Sequence, residues 1–347
     1  MTATVSRARP GGAAAPPRTG LVRAAAALLA GLAVLVLAVF ASVMFGSRNT
    51  SLAEVLDVFA GEADAYTTTV VESRYPRTAL GVLAGLCLAV GGTLMQGITR
   101  NPLADPGLLG LNAGASASVV FATAFLGASG QSATVWWALP GALGAGVLVY
   151  AIGAAGAASG LVRLVLAGAV VSAVLSAFTQ AITLSHPDVF DSYRYWVVGA
   201  LGGRNWDVFW SVLPFAVAGF LLALLLGPGL NTLALGDESA SSLGASPMLL
   251  RSGGLLAATL LSAAATAAVG PIAFVGLAVP HVVRALVGVD FRMQIAFSAL
   301  AGPALLLLAD VVGRVVVRPQ ELMVGVVTAF IGAPVLLLAV RRMRGTA

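Results

Sequence analysis

The chain has 347 residues, of which 59% are hydrophobic and only 10% charged, and its mean hydropathy is +0.97. Ordinary soluble domains carry about 25% charged residues, so this composition excludes a water-soluble globular protein. The formal charge of +5 comes from arginines scattered between apolar runs, not from one basic patch, which excludes nucleic acid as the partner.

Residues 1–23 are rich in Ala, Pro, Gly and Arg and read as a disordered cytoplasmic tail. The run 24–45 exceeds the apolar core of a signal peptide and lacks a cleavage context before Gly46, so it is expected to be retained as a first membrane helix. Further apolar runs follow at 78–97, 109–127, 136–157, 162–182, 207–227, 249–269, 273–288, 295–313 and 321–340. A helix needs roughly 17–25 apolar residues to cross a bilayer, and the short alternating segments of a membrane β-barrel are missing. The expected fold is therefore an all-α polytopic membrane protein of about ten transmembrane helices, with residues 24–340 as one transmembrane domain and 341–347 as a second cytoplasmic tail. Pro271 lies between the seventh and eighth runs and Pro280 interrupts the eighth, as in transporter cores where protein or water satisfies the broken backbone. The 41 glycines point to close helix contacts, although the absence of lysine shows that a coding bias towards Ala, Gly and Arg also contributes.

Ten spans put both termini on one side, and 12 arginines fall there against 7 on the other, so both termini are expected inside the cell inner or plasma membrane. The loops 46–77, 183–206 and 314–320 then lie outside. The second of these mixes Asp188, Asp191, Tyr193, Tyr195, Trp196 and Trp206, a composition suited to an interfacial helix or lid. The segment 229–247 lies inside, where Asp237 or Ser239 is expected to cap a short helix and Gly244 to end it.

Reactive chemistry is sparse. Cys87 is the only cysteine, which rules out an intrachain disulfide and suits inert packing. His186 and His281 are predicted on opposite sides and so make no metal pair, and His281 is expected to be structural. Without lysine the chain lacks the usual phosphate-binding loop, so any ATP hydrolysis belongs to another polypeptide. No catalytic residue, metal site or cofactor is expected on this chain.

Four passages, in order, carry a family resemblance: Arg74-Tyr75-Pro76-Arg77 leading to Gln96 and Arg100-Asn101-Pro102-Leu103-Ala104-Asp105-Pro106-Gly107; Trp196-Val197-Val198-Gly199-Ala200-Leu201-Gly202; Leu235-Gly236-Asp237-Glu238-Ser239-Ala240 with Leu243-Gly244; and Phe274-Val275-Gly276-Leu277 through Pro280-His281, Asp310, Arg314 and Glu321 to Gly332-Ala333-Pro334. In these the chain resembles the iron-siderophore and cobalamin importer permeases of ATP-binding-cassette systems, over about residues 30–340. It departs from them at Met323, where the family usually has Pro. The resemblance implies a type II importer permease fold and a partner set: a second permease copy, two cassette ATPases that bind ATP and Mg, and a substrate-binding protein.

It further implies that Arg74, Arg77 and Arg314 meet acidic side chains of the binding protein, chemistry for which the planar guanidinium fork is suited. Gly236, Asp237, Glu238, Ser239, Ala240, Leu243 and Gly244 would couple to the ATPase. Gln96, Asn101, Pro102 and His281 are candidates for the pathway or its core, which the resemblance makes broad and mainly apolar. Asp310 and Glu321, near the outer ends of the last two spans, either pair with Arg314 or another arginine, because unpaired charge at membrane depth is costly, or face lipid headgroups, where no pairing is needed. The implied cargo is a ferric siderophore, with haem or cobalamin as alternatives. An ion-coupled secondary transporter and a structural membrane scaffold are the competing readings.

Overall fold

A computed structural model describes residues 18–48, 50–154 and 160–344. In chain order the helices are α1 (Arg18–Met44), α2 (Leu52–Ala60), α3 (Ala65–Glu72), α4 (Arg74–Thr99), α5 (Leu111–Leu126), α6 (Gln131–Ala154), α7 (Gly160–Ser185), α8 (Pro187–Val197), α9 (Trp206–Ala234), α10 (Asp237–Ser242), α11 (Pro247–Val269), α12 (Val275–Val287), α13 (Phe291–Val316) and α14 (Val324–Arg344). A 3₁₀ turn, Pro106–Leu109, precedes α5, and no strand occurs among the described residues. Seven apolar helices are long enough to span a bilayer, and the shorter apolar stretches Leu111–Leu126, Val275–Val287 and Val324–Leu337 complete the ten predicted runs. The fold is an all-helical polytopic bundle.

Two boundaries differ from the sequence expectation. The first helix begins at Arg18, so only residues 1–17 of the expected tail lie outside the described residues. The last helix runs on to Arg344, taking in most of the expected second tail and leaving 345–347 outside them. The segment 46–73, read as a plain loop, contains α2 and α3. Ser51 and Glu54 cap α2 reciprocally, with Ser51 N–H donating to Glu54 Oε2 at 2.6 Å and Glu54 N–H donating to Ser51 Oγ at 3.2 Å.

The α4 helix is the hub. It packs against α13, α11, α12 and α9, and most of its residues are buried. Small residues make this possible: a Cβ at Gly92 would collide with the carbonyl of Gly276 on α12, and one at Gly85 would lie 2.6 Å from the Pro303 backbone on α13.

Tracing the helices gives two ends. The α8 end carries α2, α3, α8 and the loop 317–323; the α10 end carries the loop 100–105, α10 and the turn 288–290, and both described chain ends point towards it. At the α8 end three chain breaks are joined through the main chain. Ala200 N–H donates to Val269 O at 2.8 Å, Gly325 N–H to Gly199 O at 3.2 Å, and Leu322 N–H to Gly313 O at 2.9 Å. Between α11 and α12, Phe274 takes a left-handed φ of 71°, unusual for a residue with a Cβ, and its carbonyl accepts from Ala278 N–H at 2.7 Å to open α12.

Candidate functional site

At the α8 end, Asp310 on α13 holds two guanidinium groups. Arg77, from the first turn of α4, grips it with Nη2–Oδ1 at 2.7 Å and Nε–Oδ2 at 3.0 Å, and reaches Glu321 Oε2 through Nη1 at 2.8 Å. Arg314, one turn along α13, donates from Nη2 to Asp310 Oδ2 at 2.9 Å and from Nη1 to the Ser42 carbonyl at 3.0 Å. Ser42 Oγ accepts from Arg314 Nη2 at 3.0 Å and shares a 2.8 Å hydrogen bond with Thr78 Oγ1, so the network ties α1, α4 and α13 together. Of the two positions open to Asp310 and Glu321, the structure gives the arginine pairing.

Arg74 lies beside this network and serves another structure. Its Nη1 donates to the carbonyls of Val43 and Met44, both at 2.8 Å, and to Thr50 Oγ1 at 2.9 Å. These are among the last carbonyls of α1, which have no intrahelical donor, so Arg74 caps that helix.

The structure corrects the expected surface position of the docking arginines. Arg74 and Arg314 are 5% and 1% exposed, and Arg77 is mostly covered, so their donors face oxygen atoms of this chain and not the rim. The physical reason is Asp310: at 1% exposure its charge needs cations at contact distance, and the two nearest arginines fold inward to meet it.

At the α10 end a second aspartate also holds two arginines. Asp237 Oδ1 lies 2.5 Å from Arg100 Nη2, and its Oδ2 lies 2.9 Å from Arg251 Nη1; Arg100 also donates to the Leu233 carbonyl at 2.5 Å. Desolvation raises the Asp237 pKa, but the hydrogen bonds and charges of Arg251 and Arg100 outweigh it and hold the carboxyl below its ordinary value. The clamp fastens α10 to the ends of α4, α9 and α11. Gly236, at φ 114°, is the N-cap of α10, in place of the expected Asp237 or Ser239, and Leu243 is its C-cap, followed by Gly244 at φ 80°. Ala240 is buried beneath the helix, while Glu238 and Ser239 are exposed among the outward apolar side chains Leu235, Leu243, Met248 and Leu249. Asp237 is thus engaged within the chain, and Glu238 is the acidic group left facing out.

Between the ends, α5, α7 and α8 enclose an open cavity of about 570 Å³. Ser172, Ser176, Thr179, Gln180 and Thr183 form its α7 wall, with Asn112 and Ser116 from α5 and Tyr193 from α8 opposite; no charged residue lines it. Thr179 and Thr183 donate back to the carbonyls of Leu175 and Thr179, both at 2.9 Å, which leaves each hydroxyl oxygen free to accept. Asn112 Oδ1 accepts from Thr266 Oγ1 at 2.9 Å, leaving its amide donors free. Exposed Ser176 and Gln180 at membrane depth suit a water-filled or cargo-filled space better than hydrocarbon.

None of the four pathway candidates lines this cavity. Gln96 Nε2 donates to the Gly276 carbonyl at 3.4 Å across the α4–α12 contact. Asn101 Oδ1 accepts from Leu103 N–H at 2.9 Å in a local turn that Pro102 shares, and His281 Nδ1 lies 2.7 Å from the Leu277 carbonyl. The missed signal was a helical stripe: polar residues at 172, 176, 179, 180 and 183 share one face of an otherwise apolar run. Cys87 is buried among apolar neighbours, as expected.

A many-span bundle with an uncharged polar cavity between two clamped ends defines a transport permease. Residues 34–342 match the FecCD transport family, and the chain belongs to that family. It is 47% identical to the ferric enterobactin transport system permease protein FepD of Escherichia coli, over 90% of this chain and 93% of that one. It is 41% identical to the Fe(3+)-citrate import system permease protein YfmD of Bacillus subtilis, over 86% and 89%, and 36% identical to the hemin transport system permease protein HmuU of Yersinia pestis, over 78% and 82%. Among solved structures it matches an ABC transporter assigned to the metal-chelate type in an inward-facing conformation, with a TM-score of 0.80 and 26% identity over 91% of this chain and 98% of that one. The chain is the membrane-spanning permease subunit of an ABC importer and not an enzyme.

Proposed function

We propose that this permease imports ferric siderophores across a cell inner or plasma membrane, with both termini cytoplasmic. The observation that carries the cargo assignment is the near full-length similarity to FepD at 47% identity, against 36% for the hemin permease. The polar, uncharged α7 wall suits a bulky oxygen-rich chelate, which would exchange hydrogen bonds with hydroxyl and amide groups without being trapped by a fixed charge.

In this reading two permease copies form the pathway, two cassette ATPases bind ATP and Mg at the α10 end, and a loaded binding protein docks at the α8 end. Closure of the ATPases pushes on α10, and the Asp237 clamp passes the movement to α4, α9 and α11. At the other end Glu321, the more exposed carboxylate, yields Arg77 to an acidic group of the binding protein while Asp310 keeps its hold. Transport follows because cargo meets two conformations with different access.

The test is uptake in a strain lacking the native gene, with matched ferric siderophores, haem and cobalamin, and an ATPase-dead partner as control. Siderophore uptake that needs ATP hydrolysis and falls in a Gln180→Leu variant is expected. Uptake of haem or cobalamin alone rejects the siderophore assignment, and uptake driven by an ion gradient without ATP rejects the mechanism.

A further inference from the structure

Seven arginines lie at the α8 end, and six of them have a partner within the chain. Arg74, Arg77 and Arg314 are engaged as described; Arg48 stacks over the Tyr66 ring at 4.3 Å, Arg194 pairs with Asp191 at 3.3 Å, and Arg318 Nε donates to the Gly46 carbonyl at 3.0 Å. Arg204 is the exception among the described residues: its guanidinium makes no hydrogen bond, ion pair or ring contact, and its Nε is shut off from solvent with no acceptor. A half-buried cation with an unmet donor is unfavourable unless an anion arrives from outside the chain. Its acidic neighbour Asp207 is turned away, accepting from Asn205 Nδ2 at 3.0 Å.

The surroundings identify that anion. Arg204 precedes α9 by two residues, and its loop is fastened to the start of α6 by Gln131 Nε2, which donates to the Gly203 carbonyl. The α6 and α9 helices pack side by side and start at the same end of the bundle. Just inside those starts Trp136, Trp206 and Trp210 are 58%, 43% and 61% exposed. Exposed tryptophans in the first two turns of two neighbouring spans mark the level of lipid headgroups, where the anion at hand is phosphate. Both helices also turn the positive ends of their dipoles towards that level, which favours an anion, although Asn205 Oδ1 already takes the Val208 N–H of α9.

We infer that Arg204, at the junction of α6 and α9, binds the phosphate of a membrane phospholipid whose acyl chains lie along the tryptophan-bearing faces of those helices. The site is independent of cargo identity and lies on different helices from the polar cavity.

Full-length protein purified in mild detergent and titrated with phosphatidylglycerol, with retained lipid counted by native mass spectrometry, tests this. The wild type is expected to hold one lipid more tightly than the rest. Arg204→Gln should weaken that one by about tenfold, and Arg204→Lys by less, because it keeps the charge. Glycerol 3-phosphate should not displace the lipid, since it lacks acyl chains. Trp206→Leu with Trp210→Leu, which keeps the cation but removes the belt, should also weaken retention and guards against a folding defect in the arginine variants. Equal retention by wild type and Arg204→Gln overturns the inference. So does displacement by glycerol 3-phosphate, which would mark a soluble-phosphate site, and so does unchanged lipid binding with loss of binding-protein docking, which would assign Arg204 to an acidic protein partner.

Discussion

Each end of the bundle holds one aspartate between two arginines, and burial makes the two clusters different objects. Asp310 is 1% exposed and gathers Arg77 and Arg314 deep between α1, α4 and α13, whereas Asp237 is 46% exposed and gathers Arg100 and Arg251 at the surface. In the first, desolvation makes every unpaired charge costly, so the network acts as a fixed fastening. In the second, water competes with each partner, so the clamp can loosen and re-form at little cost.

The largest expected effect comes from removing the buried partner. Asp310→Ala leaves Arg314 buried with no carboxylate and Arg77 with Glu321 alone, and should destabilise the protein by about 3–5 kcal/mol, seen as a lower midpoint in thermal unfolding of the detergent-solubilised protein. A midpoint equal to wild type would show that water or Glu321 replaces Asp310 and would erase the contrast.

Asp237→Asn should change stability by less than about 1 kcal/mol, since the pair is half exposed, yet it should uncouple transport from ATP hydrolysis. Reconstituted complexes should then keep ATPase activity and lose uptake; parallel loss of both would mean that Asp237 serves assembly and not transmission.

The smallest effects are environmental. Raising salt from 0.1 to 1 M shortens the screening length from about 10 to about 3 Å, which should speed amide exchange in the segment 235–246 and leave the Ser42 region unchanged. Acid should act alike. The folded Asp237 pKa lies below its ordinary 3.8, so its contribution is present above 3.8 and is lost as pH falls through the lower folded value. Exchange in 235–246 that ignores both salt and pH would contradict a labile clamp.

The ten spans were legible because membrane burial writes itself into long apolar runs, and the α10 helix was legible from its polar residues between Gly236 and Gly244. Sequence placed Asp310 and Glu321 near the outer ends of their spans and left open whether they meet arginine or face the headgroups, since depth decides whether a charge needs a partner. It did not reveal the direction in which Arg74 and Arg314 point: loop position fixes the side of the membrane, while side-chain direction depends on which helices cross there. The α2 helix carries its signal in Ser51 and Glu54 at capping-box spacing, a local cue inside a connection too short and polar to stand out as a span. The polar wall of α7 was diluted by its apolar neighbours, and Gln96, more conspicuous in sequence, turned out to bridge two packed helices.

The joint at the α8 end, where Ala200, Val269, Gly199 and Gly325 bond through main-chain atoms, has an evolutionary consequence. A joint held by peptide groups places almost no demand on the identity of nearby side chains, provided the glycines stay small. Residues of the α7 wall take no part in these bonds, so substitutions on that helix face can change the lining of the cavity without disturbing the joint.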